Sequence, residues 1–80
     1  MKIKFRDLVE IETFAQLAEQ FDGGVDLWCG SYIVDGESVV GILTIGMNKW
    51  IDLKFTGDDV TKNNEFKKSV KQMGIKTKGE

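Results

Sequence analysis

Two side chains carry an oxygen at the start of an apolar helical run, Asp7 and Ser38, and the chain has no histidine to serve as a nitrogen nucleophile. An aspartate can accept a phosphoryl group only where cations or a metal offset the incoming charge. Around Asp7 the chain reads FRDLVEIE, so Glu10 would repel phosphate, and no carboxylate or cysteine cluster is spaced to hold a metal. The plain use of Asp7 is as a helix N-cap. Ser38 stands directly before the apolar run VVGILTI. Serine is a good N-cap there, and the same place suits a phosphoserine, which would meet free backbone N–H groups and the positive end of a helix dipole. Cys29 is the only cysteine and falls on the inward side of an alternating segment, which makes it inert. The glycines form no phosphate-binding loop, and no carboxylates are spaced as an acid–base pair.

The elements that must position these residues follow from periodicity. Residues 2–5 (KIKF) alternate, with Ile3 and Phe5 inward. From Asp7 the period becomes helical: Ile11, Phe14, Ala15, Ala18 and Phe21 share a stripe that Leu8 extends. Asp7 with Glu10 resembles a capping box, and Thr13 with Gln16 is a rival start. Asp22-Gly23-Gly24 ends the helix. Residues 25–29 and 32–35 alternate on either side of a two-residue turn, Gly30-Ser31. That register pairs Cys29 with Tyr32 and Leu27 with Val34 on one face, leaving Asp26, Trp28, Ile33 and Asp35 on the other. Residues 38–45 could form a strand or a short buried helix, and Ser38 as cap with Gly46 as stop favours the helix. Residues 49–55 alternate with Ile51, Leu53 and Phe55 inward. A last helix over about 62–73 buries Phe66, Val70 and Met73, with Gly74 at its C′ position and Ile75 returning to touch Val70. The order is β-α-β-β-α-β-α: an α+β domain over 1–75, with four antiparallel strands, three helices on one face, and a flexible tail over 76–80.

Composition narrows the function classes. The chain has 80 residues, 41% hydrophobic and 30% charged, with a net charge of −2. That suits one small soluble domain and argues against non-specific nucleic-acid binding, which needs a basic face. Lysines gather at 62, 67, 68, 71, 76 and 78, but the only aromatic residue among them is Phe66, which the core requires. The N-terminal MKIKFRDLVE lacks the apolar run of a signal peptide, and no stretch is long enough to span a bilayer. The expected location is the cytoplasm, with no membrane association.

Residues 21–46, FDGGVDLWCGSYIVDGESVVGILTIG, together with the element order, resemble the HPr phosphocarrier family of the sugar phosphotransferase system. The shared pattern is an aromatic residue, an alternating hairpin, then a serine opening a short apolar helix. The resemblance weakens before residue 13 and after residue 57. It implies the open-faced HPr-like sandwich. Counting back from Phe21, Asp7 falls at the family's phosphohistidine position, and Val9 and Glu10 fall where its arginine and proline stand. The nucleophile and the phosphate-binding cation are therefore missing. Ser38 falls at the serine that a dedicated kinase phosphorylates in Gram-positive relatives, although Glu37 replaces the basic residue expected before it.

The resulting expectation is a bacterial, non-enzymatic, cofactor-free regulatory or adaptor module in the orbit of sugar transport. Its partners would be proteins of the phosphotransferase or carbon-regulation type. Its contact residues would be Ser38 with Val39, Val40, Ile42 and Leu43, and the outward Trp28, Ile33 and Trp50. The resemblance also puts the last strand beside the second, so that the two tryptophans share the helix-free face. Long neighbours such as Lys4 and Lys54 could cover those rings, or the face could pair with a second copy. Two other readings stand beside this one: a phosphotransfer component with a non-histidine acceptor such as Asp7, and a self-associating structural module.

Overall fold

A computed structural model of the chain describes residues 1–79. Strand β1 (Lys2–Lys4) leads into helix α1 (Leu8–Gln20), the hairpin β2 (Val25–Cys29) and β3 (Tyr32–Asp35), and helix α2 (Val39–Ile45). Strand β4 (Ile51–Phe55), helix α3 (Val60–Gln72) and strand β5 (Lys76–Lys78) follow. The sheet order is β3-β2-β4-β1-β5, and every neighbouring pair is antiparallel.

Alternation decides which face is buried. Ile3, Phe5, Val25, Leu27, Ile51 and Leu53 turn inward and meet Ile11, Phe14 and Ala18 of α1, Ile42 and Ile45 of α2, and Phe66 and Val70 of α3. All five phenylalanines join one network. Phe14 touches Phe5 at 5.4 Å and Phe66 at 5.6 Å between ring centroids, while Phe21 and Phe55 reach Phe66 at 4.8 and 5.7 Å. Such pairs add about 0.5–1.5 kcal/mol each beyond the area they bury. Gly36 lies where a Cβ would sit 2.9 Å from the Val25 carbonyl oxygen, so only glycine lets the chain leave β3 this close to β2.

The hairpin register is the expected one, with Cys29 opposite Tyr32 and Leu27 opposite Val34. Asp7 caps α1, its carboxylate accepting from the Glu10 N–H at 2.9 Å, and Thr13 lies inside the helix. The reciprocal half of the capping box is displaced by one residue: Glu10 accepts from the N–H of Arg6, not of Asp7. Leu8 does not extend the buried stripe, being 44% exposed, and Phe21 is half-buried. Cys29 and Met73 are likewise only partly buried against the core. Helix α3 begins at Val60 with Asp59 as its cap, two residues ahead of the expected start, because the Asp59 carboxylate accepts from the Lys62 N–H.

The sheet has five strands where four were expected. Gly74, at φ +84°, reverses the chain after α3, a conformation that costs glycine nothing. Ile75 then anchors in the core at 4% exposure, and the Arg6 guanidinium donates to the Gly74 carbonyl at 3.0 Å. Lys76–Lys78, assigned from sequence to a flexible tail, is thereby laid beside β1. The final tail residue, 80, lies outside the described residues.

Candidate functional site

The sequence-derived candidates divide between two surfaces. The first is the exposed side of α2 with the cap of α1. Ser38 caps α2, its hydroxyl accepting from the Gly41 N–H at 3.0 Å. Beyond it Val40 is 74% and Leu43 42% exposed, on the side of α2 away from the core, and Met47, past the Gly46 stop, is 39% exposed. Val39 is half-buried. Ile42 does not belong to this surface: it is fully buried, because its position in the helix turns it into the core opposite Val40.

Asp7 is held by its own helix. Its carboxylate already serves the Glu10 N–H, and the nearest cation in sequence, Arg6, is committed elsewhere. The Arg6 Nη2 meets Glu10 Oε2 at 2.6 Å and Nε meets the same oxygen at 3.0 Å. The hydrogen bond and charge of Glu10 raise the Arg6 pKa above its ordinary value. Arg6 therefore ties α1 to the turn after α3, held by Glu10 first, with the charge of Asp7 a lesser influence on it. Among the described residues, no group of three or more histidine, cysteine, aspartate or glutamate side chains could hold a metal.

The second surface is the open face of the sheet. Trp28 lies opposite Ile33 on β3 and Asp52 on β4, and Asp26 opposite Asp35 and Lys54. On the far side, Lys2 lies opposite Asp52 and Lys78, and Lys4 opposite Lys76. Trp50, just before β4, has the ammonium groups of both Lys4 and Lys78 at 4.6 Å from its ring, and Lys54 lies 5.1 Å from the Trp28 ring. Trp28 is 37% and Ile33 53% exposed, and Trp50 is half-buried. The face thus gathers Trp28, Ile33 and Trp50, with Lys4 and Lys54 over the rings, one of the two coverings left open by the sequence.

Sequence reading missed Lys76 and Lys78. The signal available was the alternating KTK after Gly74, which mirrors the KIK of β1. It is too short and too polar to read as a strand without a partner. A shallow cavity of about 350 Å³ also opens between α1 and α3, lined by Leu17, Phe21 and Phe66 and bordered by the Asp22–Lys62 ion pair at 2.9 Å. Among the described residues, no helix is long and apolar enough to cross a membrane. No protein-family model matches the chain, and a search of curated proteins returns no match to it.

Proposed function

We propose that the chain is a degenerate HPr-like domain that acts by binding a protein partner, as a regulatory or adaptor module of the phosphotransferase type. The observation that carries this reading is the α2 surface, where Val40 and Leu43, about one turn apart, expose apolar area on the helix that Ser38 caps. Exposed apolar side chains grouped on one helix face are unfavourable in water and suit a contact surface. The strand order, with β4 between β2 and β1, supports the HPr-like reading, and β5 is an addition to it. Ser38 could carry regulation, since a phosphate on it would face the first N–H groups of α2.

Phosphoryl carriage through Asp7 is less favoured, because its carboxylate caps α1 and Arg6 is paired with Glu10. The test is a titration of isotope-labelled protein with the general phosphotransferase enzyme and with the HPr serine kinase, followed by NMR. Amide shifts confined to Ser38–Met47, with no label taken up from phosphoenolpyruvate, are expected. Acid-labile labelling of the chain, or the absence of shifts in α2 with both proteins, contradicts the reading.

A further inference from the structure

The open face of the sheet is electrically divided along its length. At one side, β1 and β5 present Lys2, Lys4, Lys76 and Lys78, paired as Lys2 opposite Lys78 and Lys4 opposite Lys76. At the other side, β2 and β3 place Asp26 opposite Asp35. Like charges directly opposite one another across a strand pair are destabilising, so three such pairs on one small face are a local conflict. Partial relief exists within the chain: Lys2 lies 3.7 Å from Asp52, Asp26 faces Lys54, and the indoles take up Lys4, Lys54 and Lys78. None of these contacts gives Lys76 or Asp35 an opposite charge.

We infer that this face pairs with the same face of a second copy, about a two-fold axis that crosses β4 near Asp52 at about 45° to the strands, as in orthogonal sheet packing. Asp26 and Asp35 lie one row along the strands from Lys2 and Lys78, and that oblique rotation brings the Asp26–Asp35 end of β2 and β3 in each copy over β1 and β5 of the other. The lysine side of one copy then meets the Asp26–Asp35 side of its partner, twice, as an isologous contact requires. All three like-charge pairs gain opposite charges in one step. Trp50 of each copy lies next to the axis, and Trp28 with Ile33 supplies apolar area beside it, so the indoles form the centre and the charges the rim.

A polyanion such as single-stranded nucleic acid would relieve only the lysine side and would be repelled by Asp26 and Asp35, which is why the second copy is the better occupant. The contact is small. Five strands about 4.8 Å apart and three to five residues long offer roughly 300 Å² per copy. That is below the usual ~800 Å² per partner, so the dimer is weak and salt-sensitive.

Sedimentation velocity from about 10 µM to about 1 mM, at low and high salt, tests this directly. The wild-type chain is expected to shift from monomer to dimer across that range at low salt, and to remain monomeric at high salt. Both tryptophans of the chain lie on this face, so their fluorescence should change over the same range. The charge-swap variants Lys76→Glu/Lys78→Glu and Asp26→Lys/Asp35→Lys should each stay monomeric when alone and should associate when mixed. Circular dichroism establishes that each is folded; if either is not, the salt-dependent dimerisation of the wild-type chain decides. A wild-type chain that stays monomeric at about 1 mM in low salt overturns the inference. Folded variants that fail to associate on mixing overturn it too. So does tight capture of oligothymidylate by the wild-type chain that Asp26→Lys/Asp35→Lys strengthens, which would assign the face to nucleic acid.

Discussion

The two faces of the sheet are made from the same strands and follow opposite rules. On the helix-covered side the fully buried residues are all apolar among those described, and no buried side-chain polar atom among them lacks a partner. On the open side, charges of one sign stand opposite each other at both ends, and two tryptophans lie under lysines. Removing apolar surface from water rewards the first arrangement directly. Nothing within the monomer rewards the second to the same degree. Stability therefore resides on one face, and the other is available for contact.

Breaking the covered face should have the largest effect. Phe14 is fully buried and touches both Phe5 and Phe66, so Phe14→Ala should cost about 3–5 kcal/mol. For a domain of this size that approaches the whole stability, and denaturant unfolding should find the variant largely unfolded at room temperature. A loss below about 1 kcal/mol would mean that the phenylalanine network is not the centre of the core.

The helix-end surface should respond less. Ser38→Ala removes the acceptor of the Gly41 N–H and should cost about 0.5–2 kcal/mol, whereas Ser38→Asp keeps an acceptor and places a negative charge at the positive end of α2. Urea midpoints should rank the aspartate variant above the alanine variant. The reverse order would show that the hydroxyl stabilises α2 by something other than capping.

Most of the covered face could be read from spacing. The stripes Ile11-Phe14-Ala18 and Phe66-Val70 and the alternation of Leu27, Ile51 and Leu53 state their own periods, and burial enforces them. The caps Asp7 and Ser38 were legible because one side chain and one nearby N–H decide them. The open face was legible only in part. Trp28 and Ile33 follow from a two-residue hairpin, but Lys76 and Lys78 join Trp50 only because β5 pairs with β1, across more than seventy residues of chain. Ile42 was misread as a contact residue because every position in VVGILTI that bears a large side chain is apolar or nearly so, which hides the inward side of a short helix.

The smallest effect is expected at the exposed ion pair Asp22–Lys62, which borders the cleft between α1 and α3. The hydrogen bond from Lys62, and then its charge, lowers the Asp22 pKa, and the same contact raises that of Lys62. The contribution of Asp22 is therefore complete above the ordinary carboxylate range and is lost as pH falls through it toward the depressed folded-state value. That of Lys62 is complete below the ordinary lysine value and is lost as pH rises past it. Asp22→Asn should flatten the acid limb of a stability–pH profile slightly, and added salt should remove the difference. A variant that differs from wild type equally at all pH values and salt concentrations would show that Asp22 acts through packing alone.

The central claim, that the covered face holds the fold and the open face makes contacts, is tested most directly by Trp28→Thr/Trp50→Thr. The two indoles give the monomer three cation–π contacts, about 0.5–1 kcal/mol each at exposed sites, so the melting temperature should fall by less than about 25 °C. Concentration-dependent dimerisation, followed by sedimentation at low salt, should disappear. A fall of more than about 25 °C with self-association unchanged would contradict the account, because it would place the tryptophans among the residues that hold the fold together.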